Sequence, residues 1–360
     1  MNQEIRFCTA PDGTRIAYAT LGDGPPLVKA ANYLTHLEHD WQGPVWNHWL
    51  RELARHNTLV RYDERGCGLS DWDVTDFSID AWVEDLETVV DSLELEQFPL
   101  LGISQGSAVA VAYAVRHPER ITHLILYGGY SRGRFNRDLT SEEMLQAETM
   151  INVIRVGWGK ENPAFRQLFT TMLIPEGTEE QKEWLNELAS LSATPENAAT
   201  MERAMYQIDV TEDAKRVSVP TLILHSKNDS AIPFEEGRLL ARLVPDARFV
   251  PLNSKNHVLV EEEPAWSRFL AEVRSFLGVV DTEEETVDPA EIFPELTPRE
   301  LDVLNLLAGG LDNETIAEQL IVTPKTVRNY VSRIYDKLGV NSRARAIVLA
   351  RESGLGKAIS

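Results

Sequence analysis

Apolar residues follow two rhythms over the first 278 positions. Short apolar-rich runs occur at Leu27 to Ala31, His56 to Tyr62, Leu100 to Ile103, Ile121 to Tyr127, Thr221 to His225 and Arg248 to Leu252. They have the length and composition of strands buried on both faces. Between them the spacing turns helical. Trp82, Val83, Leu86, Val89, Val90 and Leu93 fall on one side of a helix from Ile79 to Leu93, and further helices are predicted from Glu235 to Leu243 and from Pro264 to Leu277. Ile5 to Phe7 and Arg15 to Thr20 flank the Pro11-Asp12-Gly13 turn and read as an antiparallel start. Strands alternating with helices predict an α/β fold, a doubly wound and mostly parallel sheet.

From about residue 131 to 216 the alternation stops. This stretch is helical in pattern and holds Met144, Met150, Trp158, Phe165, Phe169, Met172, Trp184, Met201, Met205 and Tyr206. An insert between sheet strands reads as a helical lid. Individually these side chains are expected in the lid core; together they favour an apolar pocket. Residues 279–293 contain the acidic run Asp281-Thr282-Glu283-Glu284-Glu285 and read as a solvated linker. Residues 294–360 return to helical spacing in four short segments, a small all-α domain after the 1–278 sheet domain.

Charge changes the picture only when it is divided. The net charge is −21 over 360 residues, which argues against nucleic acid if spread evenly. From Glu295 onward there are nine basic and eight acidic residues, leaving −22 on the remainder. The C-terminal end is thus free of the acidic excess. Two cysteines, Cys8 and Cys67, without metal or CxxC spacing, suit a reducing compartment. The N-terminal residues lack a signal-peptide pattern, and no run approaches the roughly 18 apolar residues of a membrane span. A cytoplasmic protein with no membrane association, metal or cofactor is expected.

The chemistry centres on Gly102-Ile103-Ser104-Gln105-Gly106, with a buried strand before it and the small-residue run Ala108 to Ala112 after it. A nucleophilic serine must project from a strained turn, and glycines two places away remove side chains that would clash there. This elbow, the loop Asp63-Glu64-Arg65-Gly66-Cys67-Gly68-Leu69-Ser70, the lid position and the chain order Ser…Asp…His together resemble the α/β-hydrolase family over residues 1–278. The resemblance implies a catalytic triad of Ser104, Asp229 and His257, in which the histidine is the base and the aspartate orients it. His225 ends a strand before Asp229 and reads as a core or supporting histidine. His36, His39 and His48 share no metal spacing and read as surface or lid contacts. One departure stands out. The family usually carries His-Gly where this chain has Ala31-Asn32. The Gln105 N–H is one expected oxyanion donor, and the Tyr33 N–H is the other provided Asn32 takes the left-handed backbone of the missing glycine. A lost donor would slow turnover ~10²–10³-fold.

At the other end, Thr297 is a predicted N-cap, Pro298 occupies the first turn and Glu300 closes a capping box. Gly309-Gly310 ends that helix; Asp312, Thr323 and Ser342 cap the next three. Along the third, Val327, Val331, Ile334 and Leu338 share one side while Lys325, Arg328, Asn329 and Ser332 lie opposite. Leu296-Thr297-Pro298-Arg299-Glu300, Asn313 to Ala317, Thr326 to Val331 and Lys337 to Val340 resemble the LuxR/FixJ-type helix-turn-helix domain. That resemblance implies that Arg328, Asn329 and Ser332 face bases, and that Lys325, Thr326, Tyr330, Arg333 and Lys337 mainly hold phosphates. It also implies a homodimer paired through Ala346, Ile347, Leu349 and Ala350. The expected partners are therefore double-stranded DNA and a small apolar ester, lactone or other acyl ligand. A regulator that only binds the ligand and one that also hydrolyses its inducer both fit the sequence.

Overall fold

A computed structural model describes residues 3–160, 163–279, 293–353 and 355. The chain forms two compact units, Met1–Val280 and Asp281–Ser360. The linker expected at 279–293 falls, apart from its two end residues, outside the described residues.

The first unit is built on an eight-stranded sheet: β1 (Glu4–Thr9), β2 (Arg15–Leu21), β3 (Pro26–Lys29), β4 (Thr58–Tyr62), β5 (Phe98–Ile103), β6 (Ile121–Tyr127), β7 (Thr221–Ser226) and β8 (Arg248–Leu252). Their spatial order is β1-β2-β4-β3-β5-β6-β7-β8. β2 pairs antiparallel with β1 and β4, and the remaining pairs are parallel. The apolar-rich runs are explained by burial on both faces. Leu100, Leu124, Leu126 and Ile223 point into one core with Trp82, Leu86 and Val90 of α3 (Ile79–Ser92) and with α4 (Gly106–Arg116). Their neighbours Leu101, Ile125, Leu222 and Leu224 point into the other, with Trp49 and Leu50 of α2 (Asn47–Ala54) and Trp266 and Phe269 of α11 (Pro264–Leu277). A short α1 (Leu37–Gln42) precedes α2, and α10 (Phe234–Leu243) links β7 to β8.

β3 ends at Lys29, two residues before the expected Ala31. The Ala30 N–H still bonds Leu101 O at 2.9 Å, after which the chain leaves the sheet. Between β6 and β7 the lid comprises α5 (Ser141–Gly157), α6 (Pro163–Leu173), α7 (Glu179–Ser192), α8 (Pro195–Gln207) and α9 (Thr211–Ala214). Capping boxes at Thr140/Glu143 and Thr178/Gln181 set the starts of α5 and α7.

The second unit packs α12 (Pro298–Ala308), α13 (Asn313–Leu320), α14 (Pro324–Leu338) and α15 (Arg343–Glu352) around Leu304, Leu307, Ile316, Val327 and Ile334. The Thr297 cap and its Glu300 box form, as do the Asp312, Thr323 and Ser342 caps. Among the described residues, no helix is long and apolar enough to cross a membrane.

At the elbow the backbone is crowded. A Cβ on Gly106 would sit 2.5 Å from Ala31 O, and one on Gly102 would sit 2.6 Å from Gly106 O. Gly106→Ala should therefore push the Ala31 loop off the start of α4. Equilibrium denaturation should show a loss of about 1–3 kcal/mol in the first unit.

Candidate active site and nucleic-acid interface

Ser104 holds φ at 53°, the left-handed region that a serine rarely occupies. Its N–H bonds Tyr127 O at 2.9 Å, and its carbonyl accepts the Ser107 N–H at 3.0 Å, so β6 and the first turn of α4 lock the turn from both sides. Asp229 lies in the loop after β7, with its side chain fully buried. One carboxylate oxygen accepts the Ala231 and Ile232 N–H groups at 2.8 and 2.9 Å, and the other accepts from His257 Nδ1 at 2.8 Å. Burial alone would raise this carboxyl. The charge and hydrogen bond of His257, helped by His225 and the Ile232 N–H, overcome it and hold Asp229 below the ordinary carboxylate range. A Cβ on Gly128 would lie 3.1 Å from the His257 ring, so that glycine leaves room for the imidazole.

Ser104 and His257 line one cavity of about 690 Å³ together with Tyr33. The structure thus brings the three triad candidates together, with the Asp–His bond formed. Ser104 and the imidazole face the cavity without a hydrogen bond between them, a contact that commonly tightens only around substrate. Neither the Tyr33 nor the Gln105 N–H has an acceptor among the described residues, which leaves both expected oxyanion donors free.

Asn32 is not left-handed. The bend falls at Leu34, with φ 65°, while the Asn32 carboxamide accepts from Lys29 Nζ at 2.5 Å and donates to Tyr33 O at 3.2 Å. A side-chain tie has taken the place of the expected glycine-like backbone. His225 is buried, its Nε2 3.1 Å from Ile232 O and 3.7 Å from Asp229, and burial lowers its pKa. His36 caps α1, His39 stacks on Trp184 and His48 bonds Leu259 O; none lines the cavity.

The lid residues divide. Met150, Phe169, Met172, Met205 and Tyr206 line the cavity, whereas Trp158 and Met201 are lid core. The pocket is not uniformly apolar, as its composition had implied. Arg132, Arg134 and Arg137, from the loop that leaves β6, line it too, with Glu202. Sequence reasoning passed over these arginines because the segment looked like the start of the lid. Their position past the end of a sheet strand, where such folds bind ligands, was the available signal. Burial pushes Glu202 up to about 7 against the pull of its Tyr206 bond and of Arg134.

In the second unit Lys325, Arg328, Asn329, Ser332 and Arg333 are exposed on one side of α14; Thr326 and Tyr330 are half-buried. The Thr326 hydroxyl is already engaged with Thr323 at 2.9 Å. Lys337 stays exposed, but its ammonium lies 2.7 Å from the buried Glu300 of the α12 capping box. Ala346 and Ala350 are fully buried in the unit's own core, so they are unavailable for pairing, whereas Ala344 and Val348 of α15 are exposed.

A left-handed serine between strand and helix thus shares a cavity with the imidazole of a bonded acid–imidazole pair, on a doubly wound sheet. A family model described as "alpha/beta hydrolase fold" matches residues 39–264, and one described as "Bacterial regulatory proteins, luxR family" matches residues 294–350. Similar proteins include a pyrrolizixenacetamide deacetylase of Xenorhabdus hominickii, 24% identical over 73% of this chain and 94% of that one. Another is a 2-hydroxy-6-oxo-2,4-heptadienoate hydrolase of Pseudomonas putida, 24% identical over 78% of this chain and 99% of that one. The crystal structure of a hydrolase from Pseudomonas aeruginosa PA01 superposes with a TM-score of 0.64 at 24% identity, covering 76% and 98%. The chain belongs to the α/β hydrolase fold family and carries a LuxR-family helix-turn-helix domain at its C-terminus, which implies DNA binding.

The Lys337–Glu300 pair ties α14 to α12. Lys337→Met should cost about 1–2 kcal/mol by leaving a buried carboxylate short of a partner. Amide exchange across residues 298–308 of the full chain should speed up roughly 5–30-fold.

Proposed function

We propose that this protein is a transcriptional regulator whose hydrolase-fold unit binds a small acyl compound and whose helix-turn-helix unit reads a promoter as part of a dimer. The observation that carries this reading is one chain with two sites: a Ser–His–Asp constellation opening into a cavity, and a helix with an exposed Lys–Arg–Asn–Ser face. The relatives' names, a deacetylase and a dienoate hydrolase, support an acyl ligand as the class. In this reading Ser104 contacts the carbonyl carbon, the Tyr33 and Gln105 N–H groups receive its oxygen, and His257, oriented by Asp229, manages the serine proton.

A second reading adds turnover that clears the inducer, and the bonded Asp229–His257 pair favours it. Ser104→Ala separates the two in a reporter assay driven by the protein's own promoter, with acyl esters and lactones supplied as inducers. Unchanged onset and decay of the response would show that binding suffices. A response outlasting wild type would support clearance, and no response to any acyl compound in either protein would sink the proposal.

On DNA, Arg328→Ala should relax base preference by roughly 1–3 kcal/mol at one position. Lys325→Ala should weaken all sequences alike and lower the salt slope by about one. Lys337→Ala should change that slope less, because Glu300 already balances its charge. Binding isotherms over a salt series check all three.

A further inference from the structure

The cavity's unexplained feature is its three guanidinium groups, all within residues 132–137. Two have counter-ions. Arg132 and Arg137 lie 3.3 and 3.7 Å from Glu236, and Arg132 is also 3.9 Å from the exposed Asp138. Arg134 has no carboxylate within 4.0 Å among the described residues; it lies over the Tyr206 ring, 5.7 Å from its centroid. Arg134 hydrogen-bonds Tyr206, and Glu202 and Glu143 both feel its charge, but neither carboxylate closes to an ion pair with it. The Glu143 carboxylate is held by the Thr140 N–H and hydroxyl at 2.8 Å each, and Glu202 is a buried carboxyl held by Tyr206. A guanidinium stays charged in any environment and offers a planar fork matched to a carboxylate. Beside it Met150, Phe169, Met172 and Met205 supply an apolar wall.

We infer that the acyl ligand carries a carboxylate at the end remote from its reacting carbonyl, and that Arg134 binds that carboxylate while its carbon chain lies along the methionine–phenylalanine wall. The ligand class is then an ω-carboxy acyl compound, such as a half-ester of a dicarboxylic acid or a lactone acid. This rests on the proposed reading of Ser104 and His257 as the acyl end of the cavity.

The test is competition against a fluorescent fluorophosphonate on the full-length protein. The probe's P–F bond breaks as Ser104 Oγ bonds phosphorus, fluoride leaves, and His257 takes the serine proton. Monomethyl succinate, glutarate and adipate are compared with methyl esters of matched, uncharged chains. The best half-ester should protect Ser104 at about ten- to a hundredfold lower concentration than its neutral match. Arg134→Gln should collapse that ratio to about one, and Arg134→Lys should restore part of it. An equal probe-labelling rate in the absence of competitor shows that a variant keeps its fold. Equal protection by neutral esters in wild type, or a ratio that survives Arg134→Gln, overturns the inference. Failure of the probe to label Ser104 would instead count against the acyl-chemistry reading. The carboxylate subsite is then decided by calorimetry with monomethyl adipate: a loss of about tenfold or more in Arg134→Gln supports it, and equal affinity overturns it.

Discussion

The site depends on one crowded crossing, where the left-handed turn at Ser104 meets the loop leaving β3. Gly106 comes so close to Ala31 O that only a hydrogen fits between them, and Gly102 approaches the first turn of α4 equally closely. These contacts fix where Tyr33 lies relative to the elbow, and hence whether two free N–H groups can converge on one oxygen. The strain of a non-glycine residue at positive φ, of order 1–3 kcal/mol, is sustained because β6 holds Ser104 N–H and α4 holds its carbonyl.

Behind this crossing lies a buried charged layer. Lys29 and Asn32 are bonded, Arg61 reaches Asp40 at 3.1 Å, and Gln105 reaches Glu64 at 3.4 Å. Burial pushes Lys29 down to about 8, Asp40 up to about 7 and Glu64 up to about 8. Such groups are costly to desolvate and specify geometry more than they stabilise it. Here they brace Asn32 and Gln105, the residues adjoining or bearing the two proposed oxyanion donors. A chain without the family's His-Gly has rebuilt the support of that loop from side chains. The lid is tied to the same region. The N–H groups of His257 and Val258 bond Leu173 O at the end of α6, and the Tyr33 hydroxyl bonds Ala198 O in α8. A ligand that shifts the lid therefore acts directly on the histidine loop.

Local signals were legible in the sequence, and long-range ones were not. The elbow, the strand runs, the helix caps and the two faces of α14 are each encoded within about ten residues, where backbone sterics and side-chain periodicity decide the outcome. The Asp229–His257 bond spans 28 residues but follows from strand order, so the fold resemblance reached it. Asn32 defeated the same reasoning because Lys29, a residue expected only to fill a strand, captures its side chain. The tie of Lys337 to Glu300, 37 residues away, was invisible because helix periodicity does not report contacts between helices. Ala346 and Ala350 looked like a pairing face because an apolar stripe does not say whether its partner is another chain or α12.

The inferred carboxylate subsite runs against what composition suggests. An apolar lid and a net charge of −22 on the residues before Glu295 both argue for an uncharged guest. Yet that acidic charge is spread over a surface, and salt screens it beyond about 8–10 Å. A guanidinium lining the cavity acts at contact distance, in surroundings of lower dielectric, where one cation without a close carboxylate outweighs many remote ones. The global field would slow the approach of an anion, whereas Arg134 would decide whether it stays. Selectivity for an anionic guest can thus reside in one side chain of an acidic protein, and the lid's apolar wall then measures the length of chain between carboxylate and carbonyl.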